Sequence, residues 1–262
     1  MDKLLNIRLA RTVASTVLVI GLMAASVANA SSGAPKPEKQ TWSFNGIFGT
    51  FDRGALKRGY QVYSEVCVSC HGLGLIAYRN LMDIGFTEDE AKEIAAEFEV
   101  EDGPNDEGEM FMRPAILADH LVPPYPNTNA ARASNNGALP PDLSLMAKAR
   151  IGGPDYLYAL MTGYHEEAPE GFELSEDMSY NTYFPGNQIA MGQPLEDEMV
   201  EYADGTSATL EQHAKDITTF LMWTASPELE ERKRLGVKVI LFLIIWTAML
   251  YALKVKIWAR LH

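Results

Sequence analysis

Nineteen consecutive residues near the C-terminus, Leu235 to Leu253, carry a single charge, that of Lys238. Nothing else in the chain restricts the possible folds as strongly. As an α-helix rising about 1.5 Å per residue the run is ~28 Å long, close to the hydrocarbon thickness of a bilayer. Lys238 lies near enough to one end for its stem to carry the ammonium to the headgroups. Arg232, Lys233 and Arg234 precede the run, and Lys254, Lys256 and Arg260 follow it, so flanking charge does not orient the helix. The expectation is a folded domain hung on one membrane helix, with residues 232–262 forming the anchor (helix about 235–253) and a short tail.

The other end of the chain supplies the orientation. Lys3, Arg8 and Arg11 lie ahead of an apolar run, Thr16 to Val27, and Ala28-Asn29-Ala30 places small residues where a signal peptidase cuts. Residues 1–30 therefore read as a secretory signal peptide. The alternative, a retained first membrane helix, fits less well with so short a run, interrupted by Gly21 and Ser26 and followed directly by Ser31-Ser32-Gly33-Ala34-Pro35. Export of residues 31–231 makes the anchor run from outside to inside. The chain is then a single-pass protein of the bacterial inner membrane, with its folded domain in the periplasm.

Charge is segregated along the sequence. The formal net charge is −13, yet the segments either side of the domain are basic, and residues 31–231 hold 12 basic against 34 acidic residues, a net of −22. Such a domain repels nucleic acid and anionic lipid and attracts basic proteins. The carboxylates cluster from Glu88 to Glu109 and again from Glu166 to Asp177.

Helical patterns are clear at four places. Asp52 is an N-cap for a helix in which Leu56, Gly59, Tyr60, Tyr63, Val66 and Cys67 recur at helical spacing. Thr87-Glu88-Asp89-Glu90 is a capping box opening a second helix, with Ala91, Ile94, Ala95 and Phe98 on its apolar side. Leu143 to Tyr164 is helical material broken at Gly152-Gly153-Pro154, and Thr206 or Ser207 caps a last soluble helix striped by Leu210, Ala214, Ile217, Phe220 and Leu221. The proline-rich stretch from Gly103 to Pro141, and Glu166 to Gln193, read as ordered loops wrapped over something. No strand pattern emerges, so the fold class is mainly α with long loops.

Only two cysteines occur, in Cys67-Val68-Ser69-Cys70-His71. Two thiols on one helical turn can each bond a vinyl group of haem, and the adjacent imidazole then reaches the iron. A thioredoxin-like pair would sit at a helix N-terminus, where the macrodipole lowers a thiol pKa, whereas this pair ends a helix. Zinc would need two further ligands at matching spacing, and His120, His165, His213 and His262 are scattered. A covalent haem also accounts for the loops, because it replaces core they cannot supply. A sixth iron ligand suits an electron carrier, and methionine is the usual choice where the potential must be raised. Met82, Met146, Met161, Met222 and Met249 fall in helical patterns suited to packing, leaving Met110, Met112, Met178, Met191 and Met199 as candidates. Met191 stands in a loop punctuated by Pro185, Gly186, Gly192 and Pro194.

Beyond that motif the chain resembles the cytochrome c1 family, landmark by landmark. The matching segments are Cys67 to His71 with Ala77-Tyr78-Arg79, Thr87 to Lys92, Asp102 to Asn105, Gly108 to Pro114 and Pro124 to Asn127. The series continues through Ala130 to Ser144, Ala149-Arg150, Leu160 to Tyr164, Tyr183 to Gly186, Tyr202 to Gly205 and Arg232 to Arg234. The resemblance implies a class I cytochrome c-like haem domain with long loop insertions. It implies Cys67 and Cys70 as thioether bonds to haem c, His71 and Met191 as axial ligands, and Arg150 near a propionate. It places Asn135, Ala138, Pro140, Pro141, Tyr156, Phe184 and Ile189 around the pocket. One departure is Gly192, where relatives often carry Pro or Ala. The implied role is electron transfer from a Rieske iron–sulfur protein to a basic soluble or tethered cytochrome c, with cytochrome b beside the anchor. The subunit itself makes no bonds, and the enzyme would be the whole quinol:cytochrome c oxidoreductase. Two other readings fit the residues alone: a membrane-tethered cytochrome c outside any complex, and an acidic anchored scaffold with an incidental cysteine pair.

Overall fold

The computed structural model describes residues 34–259; the expected signal peptide, 1–30, lies outside them. Helix α1, Arg53–Glu65, begins where the Asp52 carboxylate accepts hydrogen bonds from the Gly54 and Ala55 amides, satisfying two of the free amides of its first turn. Its inner face, Leu56, Gly59, Tyr60, Val62 and Tyr63, is buried against the longest soluble helix, Leu210–Thr224. A 3-10 turn, Cys67–Ser69, follows at once. The cysteine pair thus lies at the C-terminal end of a helix.

A 3-10 helix, Tyr78–Ile84, leads to α2, Glu88–Ala96. The capping box is present as expected, with Thr87 accepting from the Glu90 amide and Glu90 accepting from the Thr87 amide. Contrary to the expectation of no strands, β1, Glu99–Asp102, pairs antiparallel with β2, Phe111–Pro114. The sequence Glu-Val-Glu-Asp conceals a strand because only Val100 and Asp102 point partly inward. Arg113 holds the hairpin together by bonding Asp102 across the strands and Asp119 beyond them. The proline-rich segment also contains α3, Thr128–Ser134, capped by the Asn127 side chain. It is therefore not wholly loop.

Helix α4, Met146–Ala149, and α5, Pro154–Thr162, are separated at the Gly-Gly-Pro break, where Gly152 and Gly153 adopt positive φ. A small sheet comes next, in the order β3, Tyr164–His165, then β4, Ser179–Asn181, then β5, Gln188–Ile189, all antiparallel. Helix α6, Leu210–Thr224, is capped by Thr209, which accepts from the Gln212 amide. Thr206 and Ser207, the expected caps, both lie ahead of the helix, and the Thr206 amide donates to Asp204 in a turn.

The core forms where α1, α4 and α5 pack on α6. The α1–α6 crossing depends on Gly59, since a Cβ there would lie 2.2 Å from the Asp216 carbonyl and 2.6 Å from the Phe220 Cβ. The close approach lets Tyr60 and Tyr63 meet the Phe220 ring, with centroids 5.9 and 6.0 Å apart, a favourable aromatic spacing. Beside it, Arg58 grips the buried Asp216 through Nε and Nη2 at 2.8 and 3.1 Å and reaches Asp204 at 2.7 Å. Four residues then lead from α6 into α7, Leu229–Trp258. This helix is longer than the run of 235–253; it starts inside the domain with a buried Leu229 and is exposed along its apolar length. Among the described residues it is the one helix long and apolar enough to cross a membrane.

Candidate haem site

The end of α1 and the turn after it arrange the motif. The His71 amide and the Cys70 amide both bond the Cys67 carbonyl, at 2.9 and 3.1 Å, so the two sulfurs and the imidazole share one tight loop. Neither cysteine is in a disulfide. Burial, with Cys70 close by, pushes the Cys67 thiol up to about 12. The group is thus a neutral thiol in an apolar setting, opposite to the lowered pKa of a redox-active pair. Among the described residues no three His, Cys, Asp or Glu come together in a group that could hold a metal ion.

The imidazole of His71 has a defined tautomer. Its Nδ1 lies 2.7 Å from the Pro141 carbonyl, which can only accept, so Nδ1 carries the proton and the Nε2 lone pair is available for a metal. Burial keeps the His71 pKa below its ordinary value, which favours that neutral, ligating form. The loop bearing Pro141 is itself braced against the motif. Asp142 accepts from the Gly74 amide at 2.7 Å and the Ser144 amide at 2.8 Å, while the Leu143 amide bonds the Gly72 carbonyl at 2.9 Å.

On the other side of the sequence, β5 delivers Met191 two residues after its end. The Met191 carbonyl accepts a hydrogen bond from the Tyr164 hydroxyl at 3.1 Å. The preceding turn is held by Asn181, fully buried, which donates to the Leu160 carbonyl and accepts from the Tyr183 and Phe184 amides. Of the five loop methionines, Met191 alone packs against the core; Met110, Met112, Met178 and Met199 are exposed. The packing role expected for the others holds for Met146, Met161 and Met222, whereas Met82 and Met249 are exposed. A Cβ at Gly192 would meet no other protein atom within 4 Å.

The remaining residues implied by the resemblance are spread over three elements. Tyr156 and Ile189 are buried, on α5 and β5, and Phe184 is half-buried. Asn135 ends α3 and donates to the Tyr125 hydroxyl and the Ala131 carbonyl; Ala138 and Pro140 are half-buried and Pro141 exposed. Arg150 follows α4 and is exposed, its guanidinium making one hydrogen bond, at 3.3 Å, to the Ala149 carbonyl. The structure joins His71 to Pro141 directly; it shows no direct bond between Arg150 and the others. Tyr164, Asn181 and Asp142, which position the two candidate ligands, escape sequence reasoning. Only Asp142, ahead of Leu-Ser, bears a local signal, that of an Asx turn.

These features fit a large apolar group. Val68, Met161, Tyr164, Phe184 and Met191 pack on the core yet remain half-open, as expected of side chains whose packing a bound ring would complete. The profile of the Cytochrome C1 family matches residues 42–261. The chain belongs to the cytochrome c1 family. Cytochrome c1 of Rhodospirillum rubrum is 48% identical over 267 residues, covering 96% of this chain and 97% of that protein. The mitochondrial cytochrome c1 haem protein of Schizosaccharomyces pombe is 50% identical over 246 residues, covering 90% of this chain and 80% of its own. A cytochrome b/c1 of Bradyrhizobium diazoefficiens is 49% identical over 256 residues, and there the chain spans 37% of the relative's length. Membership in cytochrome c1 carries an electron-transfer role in a bc1 complex and a covalent haem c, for which both cysteines are in place.

Proposed function

We propose that this chain takes single electrons from the Rieske iron–sulfur protein of a bc1 complex and passes them to a cytochrome c. Cys67 and Cys70 would hold the haem through thioether bonds, and His71 and Met191 would ligate its iron. The observation that carries the reading is the turn from Cys67 to His71, with two free thiols and an imidazole whose Nδ1 is committed to Pro141. The haem iron, when bound, supplies a one-electron couple, and nothing in the protein needs to make or break a bond.

The protein's own groups then have distinct tasks. Pro141 keeps the proton on Nδ1 and strengthens Nε2 as a ligand. Tyr164 fixes the backbone from which the Met191 thioether projects, and a thioether ligand favours the reduced state. Arg150, exposed and without an ion pair among the described residues, would meet a propionate. Tyr156, Ile189 and Phe184 would exclude water from one side, and Asn135, Ala138, Pro140 and Pro141 would border the other. The acidic residues of α2, the β1–β2 hairpin and the segment 166–177 are largely exposed; their field would speed encounter with a basic cytochrome c. A signal peptide over residues 1–30 and a spanning helix at α7 would leave the domain in the periplasm of a bacterial cell, with cytochrome b beside α7.

The test is a pyridine haemochrome spectrum of the purified full chain, expected to show one haem attached through two saturated side chains. Cys67→Ala or His71→Ala should give an unstable apo-protein, because the haem supplies core that the loops lack. A His71→Ala variant that folds and keeps an unchanged spectrum would overturn the ligand assignment.

A further inference from the structure

Outside the haem region, one apolar feature stands apart from the core. The turn Asn45-Gly46-Ile47-Phe48-Gly49 projects two large side chains into solvent, with Ile47 69% and Phe48 84% exposed. The turn is tightly built. The Asn45 amide bonds the Trp42 carbonyl and the Thr50 amide bonds the Ser43 carbonyl, each at 3.1 Å. Gly46 has φ +74°, and a Cβ on Gly49 would lie 1.9 Å from the Asn45 carbonyl. On either side Trp42, Phe44 and Phe51 are buried; Trp42 stacks on Phe44 and Phe44 meets Phe51 at a tilt, with centroids 5.5 and 5.2 Å apart. The two exposed side chains are thus held out by a rigid base.

That base is clamped to the first turns of α7. Lys233 Nζ donates to the Phe44 carbonyl at 2.6 Å and to the Gly49 carbonyl at 3.0 Å, closing both ends of the turn on one ammonium. Three residues earlier on the same face, Glu230 accepts from the Phe51 amide at 2.8 Å and from both terminal nitrogens of Arg53. Lys233 precedes Leu235, the first exposed apolar residue of the helix, by two residues, or about 3 Å along the axis.

We propose that the Ile47–Phe48 turn is a second membrane contact, entering the headgroup and upper acyl region of the bilayer beside the point where α7 leaves the domain. The proposal rests on the reading of α7 as a spanning helix, and extends that apolar surface sideways onto the domain. Two side chains on a convex turn suit shallow insertion, whereas a protein partner would call for a broad patch, about 800 Å² on each side. Arg234 and Lys238, exposed in the first turns of α7 just after Lys233, offer charge to lipid phosphates. With helix and turn both in the bilayer, the domain is fixed at two points and its rotation about the α7 axis is restrained.

Spin labels on the full haem-bearing chain in phosphatidylcholine–phosphatidylglycerol vesicles test this. Labels at Phe48→Cys and Ile47→Cys should collide readily with oxygen and be shielded from an aqueous nickel chelate, at a shallower depth than a label at Leu243→Cys within α7. A label at Ile151→Cys, a position 98% exposed, reports the aqueous extreme. Labels at both 47 and 48 as open to nickel as that at 151, with the 243 label in lipid, would overturn the second contact and leave the anchor intact. Labels at 47 and 48 shielded from both reagents would also overturn it, since protein rather than lipid would then cover the turn. A nickel-accessible label at 243 would overturn the spanning helix itself, and this contact with it.

Discussion

Replacing Arg58 with Met tests the energetic centre of the domain. The Asp216 side chain is 1% exposed and receives three hydrogen bonds: two from Arg58, at 2.8 and 3.1 Å, and one from Gln212 Nε2 at 2.9 Å. Met keeps much of the apolar stem but leaves the carboxylate with one amide partner. Removing one member of a buried, hydrogen-bonded pair costs about 3–5 kcal/mol, because the remaining charge is stranded. The Asp204 contact adds little, since that carboxylate is half exposed and such pairs contribute under about 1 kcal/mol. Taking a guanidinium chloride slope of roughly 4 kcal/mol per molar, the unfolding midpoint should fall by about 1 M. Near-ultraviolet circular dichroism of the full chain in detergent follows the transition through Tyr60, Tyr63, Phe220 and Trp223, all packed around this crossing. Arg58→Met with Asp216→Leu should recover most of the loss, since no charge is then left unpaired. A single variant within about 1 kcal/mol of the parent, or a double variant no better than the single, would refute the reasoning.

Met191→Leu should retain the haem, lower its reduction potential and admit exogenous ligands to the iron; potentiometry and cyanide or azide titration check this, and an unchanged potential would mean another residue is the ligand. His213 is buried with Nδ1 bonded to the Tyr202 hydroxyl at 2.8 Å, Nε2 unpartnered, and Asp216, Asp197 and Glu65 nearby. Burial lowers its pKa from the ordinary 6.5, so the stability it contributes is present above that value and is lost as pH falls. His213→Val should therefore flatten the decline in unfolding midpoint between about pH 7 and 5, measured by denaturant titration at each pH. Reversing Glu97, Glu99, Glu101, Glu166 and Glu167 to Lys should slow capture of a basic cytochrome c and weaken its dependence on salt, where screening acts over about 10 Å at 0.1 M. Asp102 is left out because it holds Arg113; stopped-flow electron transfer across an ionic-strength series is the measurement.

How much could be read in advance depended on distance along the chain. The Asp52 cap, the Thr87–Glu90 box and the Gly152-Gly153-Pro154 break all act within four residues, and each stands where the pattern placed it. The cysteine motif is likewise local, which is why the cofactor was legible from five residues. The hairpin was not, because Glu99–Asp102 becomes a strand only through Phe111–Pro114 and the grip of Arg113. Gly59 read as one more position on a helical face, and its partner, Asp216, is 157 residues away. Tyr164 and Asn181 were invisible as positioning residues for the same reason, since their roles exist only once β3, β4 and β5 pair around the Met191 loop. The cap of α6 is Thr209 rather than Thr206 or Ser207, because the helix begins only at Leu210 and it is the Thr209 hydroxyl that meets the Gln212 amide.

The passage from α6 to α7 has a mechanical consequence. Ala225, Ser226 and Leu229 are buried, and the Ser226, Leu229 and Arg232 amides continue the hydrogen bonding through the bend to the Trp223, Ser226 and Glu228 carbonyls. Because α1 is locked to α6 at Gly59 and Arg58, the turn bearing Cys67, Cys70 and His71 is joined to α7 through packed, hydrogen-bonded helices rather than through an exposed linker. On the proposed reading of α7 as a spanning helix, the same packing would hold the haem site at one height above the bilayer. In a relay where electron transfer falls off steeply with separation, a fixed post of this kind leaves every change of gap to whatever approaches it.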